Sequence, residues 1–270
     1  MNDFIAKKSF NAISNSQKIT ILTATLNAEA YIHRLIDSLR NQVDQNFEWL
    51  VVDGCSSDRT VEFVESAFDL SVRCIVSKDF GIYDALNRGI QAIDDGYYLV
   101  VGADDLLLPN AIKCYRKSIP EGYPDIVTAA IYQSGKVILP KKGLGWLYGL
   151  PGIASSHAVG MLFKVDLHKR FGLYSRKFPI AADQLFVKIA LAGGASILRK
   201  KFIAGIFSDE GTSGCDPVGL LTDVFRVQLL TERLIFMQYL IFMLRIFKLY
   251  LFSALHFSSF RFPQVGAIKD

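Results

Sequence analysis

Two adjacent carboxylates, Asp104 and Asp105, stand in the run VVGADDLLLP, directly after a stretch with the apolar character of a buried strand. Like charges held that close are costly unless a positive charge joins them. A hard divalent ion with oxygen ligands would meet that need and could also face a diphosphate. The plainer reading is a strand-end turn with solvated acids, and the motif alone leaves both open. Asp53 closes VVDGCSSDRT, and an acid there can accept hydrogen bonds from a ribose or base, or serve only as a turn and helix cap. Asp79 in SKDFGIYDALNRG is equally open, and Gly81 and Gly89 beside it can be explained by backbone geometry. Asp183 opens a helical pattern in FPIAADQLFVKIALAGG. An acid there gains from the helix dipole in any case, and on a rigid element facing a crevice it could act as a general base. His157 in ASSHAVGMLFK could be a contact for an acceptor or a structural histidine.

The elements that must position these groups alternate. Apolar, β-branched runs at 18–25, 47–52, 72–76 and 97–101 read as strands, with helical periodicity between them, as in Leu35, Ile36 and Leu39. Strands apolar on both faces imply a parallel sheet covered by helices, an α/β doubly wound half-fold up to about residue 103. Such sheets bind ligands beyond the carboxyl ends of their strands. Asn27, Asp53 and the Asp104–Asp105 pair, each just past a strand, are therefore expected to share one crevice. Farther on, 126–132 and 136–139 flank Gln133-Ser134-Gly135 as a hairpin. The span 143–152 reads as a glycine-rich loop, and 182–192 as a helix.

Composition limits the function classes. The chain has 270 residues and a net charge of +4, so no polyanionic partner such as nucleic acid is called for. Cys55, Cys74, Cys114 and Cys215 show no CxxC spacing, which argues against a zinc site or a disulfide framework and for a reducing compartment. The first 17 residues lack the apolar run of a secretory signal, so a cytoplasmic location is expected. The mean hydropathy is +0.27, high for a freely soluble protein. Much of that comes from LIFMQYLIFMLRIFKLYLFSALHF at 234–257, long enough to span a bilayer but carrying Arg245 and Lys248 near its middle. A mid-bilayer charge costs about 2.5–3.5 kcal/mol. Gln238, Arg245, Lys248 and His256 fall near one helical face, the pattern of a helix lying in the membrane interface over 234–260, with Arg233 and Arg261 toward anionic headgroups. The other possibility is a helix packed on the catalytic domain or on a partner.

Taken together, the segments TATLNAEAYIHRLIDSLRNQ, FEWLVVDGCSSDRTVEFV, SKDFGIYDALNRGIQAI, GYYLVVGADDLLLPNAI, SHAVGMLFK and IAADQLFVKIAL resemble, in order, the family 2 glycosyltransferases, over roughly 18–214. The resemblance extends to enzymes of bacterial surface-polysaccharide biosynthesis. It implies a GT-A fold, a nucleotide-sugar donor of the UDP type, a divalent metal (Mn2+ or Mg2+) and inverting transfer to a hydroxyl of a saccharide or lipid-linked acceptor. It also implies roles. Thr25 and Asn27 line the nucleotide pocket, Asp53 contacts uracil or ribose, and Asp79 lies beside the base. Asp104 and Asp105 bind ribose and metal, and Asp183 is the catalytic base. His157 lies near the acceptor, while Gly211-Thr212-Ser213 resembles the loop over the diphosphate.

The chain departs from the family pattern at Gly102, where relatives carry an acid or Asn, at Gln184 after Asp183, and at Glu210. The implied organisation is a lead-in at 1–17, a catalytic domain at 18–215 with a nucleotide half (18–105) and an acceptor half (106–215), and a membrane-associating segment at 216–270, peripheral on the inner face of the plasma membrane. Two other readings are considered. A sugar-nucleotide pyrophosphorylase needs a glycine-rich loop after the first strand, which TATLNAEA lacks. A catalytically inactive binding subunit or membrane scaffold would draw its support from Gly102.

Overall fold

A computed structural model describes residues 17–208 and 216–257. The first half is built from β1 (Ile19–Thr25), α1 (Glu29–Arg40), β2 (Glu48–Asp53), α2 (Thr60–Glu65), β3 (Val72–Val76), α3 (Ile82–Gln91) and β4 (Tyr97–Val100). Next come β5 (Leu106–Leu107), α4 (Ala111–Ser118), β6 (Ile126–Gln133), β7 (Lys136–Ile138), α5 (Gly145–Tyr148) and a 3-10 turn at Leu150–Gly152. The chain continues through β8 (Met161–Lys164), α6 (Asp166–Phe171), α7 (Ala182–Ala192), β9 (Ile197–Ile206), α8 (Pro217–Thr231) and α9 (Ile235–Phe257).

One sheet carries the molecule, in the order β3-β2-β1-β4-β8-β6-β9-β5, with β7 paired to β6. From β3 to β4 all neighbours are parallel, as the doubly apolar strands require. Beyond β4 the sheet is mixed: β8 runs antiparallel to β4 and β6, whereas β9 is parallel to β6. Successive side chains of β1 enter opposite cores. Ile19 and Ile21 meet Leu35 and Leu39 of α1 on one face, while Leu22 meets Leu86 and Ile90 of α3 on the other. Each such fully buried aliphatic contributes roughly 1.5–3 kcal/mol.

The strands and helices of the first half fall where the sequence pattern places them, to within about two residues. The 143–152 span does not: it folds as α5 and the 3-10 turn, because Gly149 at φ 70° and Pro151 close two short turns back to back. The stripe of α9 also differs from expectation. Gln238 and Arg245 face the short helix α5 rather than a headgroup layer. Gln238 Nε2 donates to the Trp146 carbonyl at 3.0 Å, and Arg245 donates to the Leu147 carbonyl. Those carbonyls end the short helix α5 and have no partner within it, so Gln238 and Arg245 are drawn inward while Lys248 stays exposed. The apolar flank is left outside: Phe236 is 80% exposed, and Tyr239, Met243, Leu244, Phe247 and Tyr250 are exposed with it. Among the described residues, no helix is long and apolar enough to cross a membrane.

Candidate active site

The carboxyl ends of β1 and β2 are joined in register at Thr25 and Asp53. Asp53 is fully buried, and its carboxylate is held from three directions: by Thr25 Oγ1 at 2.8 Å, the Ser56 backbone N–H at 2.7 Å and Ser56 Oγ at 2.6 Å. Asn27, at φ 50°, accepts from the Ser57 N–H at 2.9 Å, and its own N–H donates to Ser56 Oγ at 2.8 Å. Asp79 stands across from them. A Cβ built on Gly54 would lie 2.7 Å from Asp79 Oδ2 and 3.4 Å from Leu26. Thr25, Asn27, Asp53 and Asp79 thus gather in one nook at the ends of β1, β2 and β3.

Beside that nook a cavity of about 500 Å³ opens. Asp104, Asp105, His157 and Asp183 all line it, although they come from strand ends and a helix far apart in sequence. Asp105 is buried and pinned: the Gly102 N–H donates to Oδ2 at 2.8 Å and the Ser208 N–H to Oδ1 at 2.9 Å. Burial pushes its pKa up to about 7, with the nearby Asp104 charge adding to the rise. Gly102 explains how the pair can converge. A Cβ there would lie 2.8 Å from both Asp104 Oδ1 and Asp105 Oδ2, so the missing side chain is the space the two carboxylates share. Two neighbouring carboxylates that both lean over Gly102, one of them destabilised as an anion by burial, are hard oxygen donors of the kind a divalent cation takes, with donor oxygens and water left to complete its shell. Among the described residues, no cluster of three or more His, Cys, Asp or Glu forms an all-protein metal site.

Asp183 enters from the first turn of α7. Its Oδ1 accepts from Tyr83 Oη at 2.8 Å, and its Oδ2 lies 3.9 Å from His157 Nδ1. His157 is buried, which lowers its pKa, and its Nε2 is 2.8 Å from Tyr174 Oη. Asn87 of α3 clamps Tyr174 by two backbone hydrogen bonds of 2.9 Å. Gln184 turns away from Asp183, accepting from the Leu150 N–H at 3.0 Å. Tyr83 and Tyr174 are site residues that sequence reasoning missed. A tyrosine two residues past Gly81 and a tyrosine after Gly172 look like ordinary core, and only folding brings them to Asp183. Gly211 and Ser213, together with Glu210 and Thr212, lie outside the described residues.

A parallel nucleotide-type half ending in paired carboxylates, joined edge to edge with a mixed half that brings a further acid to the same cavity, defines the GT-A class of glycosyltransferase fold. Residues 20–173 match the family model described as Glycosyl transferase family 2, and the chain belongs to that family.

Among curated proteins it is 37% identical over 91 residues to a PGL/p-HBAD biosynthesis glycosyltransferase of Mycobacterium bovis (strain BCG / Pasteur 1173P2), covering 33% of this chain and 36% of that protein. It is 23% identical over 233 residues to Glycosyltransferase GlyA of Streptococcus pneumoniae, covering 86% of this chain and 31% of that protein. The matched region thus spans about a third of these two relatives. Among solved structures, S. aureus TarS 1-349 in complex with UDP-GlcNAc superposes with a TM-score of 0.64 at 20% identity, covering 86% of this chain and 73% of that one. Glucosyl-3-phosphoglycerate synthase from Mycobacterium tuberculosis, in complex with Mn2+, UDP and glucosyl-3-phosphoglycerate, superposes with a TM-score of 0.61 at 16% identity, covering 79% of each chain.

Proposed function

We propose that the protein is an inverting glycosyltransferase that moves a sugar from a UDP-type nucleotide-sugar to a hydroxyl of a saccharide or lipid-linked acceptor in bacterial surface-glycan synthesis. The observation that carries this reading is that Asp104, Asp105 and Asp183 line one cavity, so leaving-group and base chemistry share a space. In this reading the nook around Thr25, Asn27, Asp53 and Asp79 receives the nucleoside. Asp104 and Asp105 would hold a Mn2+ or Mg2+ ion, which when bound supplies positive charge beside the departing diphosphate.

Asp183 accepts the proton of the incoming hydroxyl on Oδ2. The hydroxyl oxygen bonds to the anomeric carbon as the bond from that carbon to the diphosphate oxygen breaks, and the electron pair leaves with the diphosphate. Attack opposite the leaving group inverts the anomeric centre. Tyr83 holds Asp183 in place through Oδ1 and leaves Oδ2 to the acceptor. The inactive-scaffold reading loses its support at Gly102, since room for the carboxylate pair accounts for the glycine.

The exposed flank of α9 is read as a site of peripheral attachment to the inner face of the plasma membrane, with residues 216–270 as the attaching segment. No acid occurs between Arg233 and Lys269, which suits an anionic lipid surface. The test of the catalytic reading is Asp183→Asn, assayed for sugar transfer and for folding by thermal melting. A loss of about 10²–10⁴-fold is expected for removal of a general base. A folded variant with wild-type turnover would refute it.

A further inference from the structure

Behind Asp183 a line of hydrogen-bonding side chains runs into the core. His168 Nδ1 lies 2.9 Å from the Gly172 carbonyl, and its Nε2 lies 2.6 Å from Tyr98 Oη. Tyr98 Oη lies 2.7 Å from Tyr174 Oη, which is 2.8 Å from His157 Nε2. All four side chains are buried. Donor and acceptor chemistry assigns every proton along this line. A carbonyl only accepts, so His168 carries its proton on Nδ1. Burial lowers its pKa to about 4, so at neutral pH the ring has no second proton and Nε2 is a lone pair. Tyr98 therefore donates to His168 and has no proton left for Tyr174. Tyr174 then donates to Tyr98, and its oxygen accepts from His157 Nε2–H.

We propose that this directed chain, anchored at the Gly172 carbonyl, holds His157 as the Nε2–H tautomer, so that His157 Nδ1 and Asp183 Oδ2 form a pair of bare acceptors open to hydroxyl donors. Across 3.9 Å neither atom can donate to the other. His157 cannot protonate Asp183 or weaken it as a base, and the gap suits a group that brings its own hydrogen. Tyr98, Tyr174 and His168 are then positioning residues that act on the base through His157. The catalytic part of this inference rests on the reading of Asp183 as base, but the tautomer does not.

The experiment is a long-range proton–nitrogen NMR spectrum of the histidine rings in the full chain labelled with nitrogen-15, at neutral pH. Signals of the four histidines are assigned by His157→Gln and His168→Gln. His157 is expected with Nε2 protonated and Nδ1 bare, and His168 with the opposite pattern. In Tyr98→Phe, Tyr174 is free to donate to His157 Nε2, and His157 is expected to change to the Nδ1–H form. A wild-type His157 protonated on Nδ1 overturns the proposal, as does a folded Tyr98→Phe in which His157 is unchanged. Should Tyr98→Phe not fold, Tyr174→Phe cuts the next link and is read by the same criterion. Full turnover in Asp183→Asn, by contrast, would remove the base assignment and leave the tautomer result standing.

Discussion

Tyr83 Oη donates to Asp183 Oδ1 at 2.8 Å, joining α3 to α7 across 100 residues of chain. The same hydroxyl lies 2.8 Å from the Ile180 carbonyl just ahead of α7, so its single hydrogen is shared between the acid and the backbone that presents it. Tyr83→Phe is expected to cost about 1 kcal/mol in stability, the usual worth of one such bond. Turnover should fall about tenfold with the donor KM unchanged, because the loss concerns the orientation of the base. Steady-state kinetics with urea unfolding checks this, and an unchanged kcat would count against Tyr83 as a positioning residue.

Gly102 makes the second prediction. Asp105 is held by two backbone donors and cannot swing aside, so the Cβ of Gly102→Ala should force the carboxylates apart at a cost of about 1–3 kcal/mol. The measurement is the rise in melting temperature on adding Mn2+ with UDP, since a ligand of the native state alone stabilises it. The rise should be present in wild type and lost in the variant. An equal rise in both would separate the pair from cation binding.

A pH prediction follows from His168. Its pKa in the folded protein is lowered to about 4 by burial, against about 6.5 in an unfolded chain. Between those values the unfolded chain binds a proton that the folded one refuses. The contribution is therefore complete above about pH 6.5 and is lost as pH falls toward 4, by about 3 kcal/mol in all. Urea unfolding at pH 7 and pH 4.5 should show a smaller acid loss in His168→Gln than in wild type. Parallel losses would contradict the assignment.

The outward flank of α9 can be tested without touching its inward stripe. Phe236 is 80% and Phe247 60% exposed, and each would bury roughly 1.5–3 kcal/mol of apolar side chain in lipid. Phe236→Ser with Phe247→Ser should weaken flotation with phosphatidylglycerol vesicles by about two orders of magnitude while leaving the melting temperature unchanged. Equal flotation would mean that this flank is not the attaching surface.

The parallel half was readable because each strand is a short, continuous apolar run between helical periods. β8 and β9 were not, for different reasons. Met161–Lys164 is only four residues long, and Ile197–Ile206 carries Arg199, Lys200 and Lys201 at its centre, which breaks the apolar signal of a strand partly open to solvent. In the site, Asp104, Asp105 and Asp183 could be picked out because an acid at the end of a strand or the start of a helix stands apart from its apolar surroundings. Tyr98, Tyr174 and His168 could not. Their ring bodies pack like any core residue, with His168 stacked on Phe186 at 4.2 Å between centroids. Their polar tips meet across 70 or more residues of chain in the Tyr98 contacts, a relation that no local spacing records.

Because Arg245 borders the same space as Asp183 and grips the turn that carries Tyr148, shortening the chain before residue 234 to obtain a more tractable protein would dismantle part of the wall around the chamber that Asp183 lines. Lost activity in such a fragment would say nothing about whether lipid is needed. Point changes on the greasy outer side keep the chamber whole and separate the two questions.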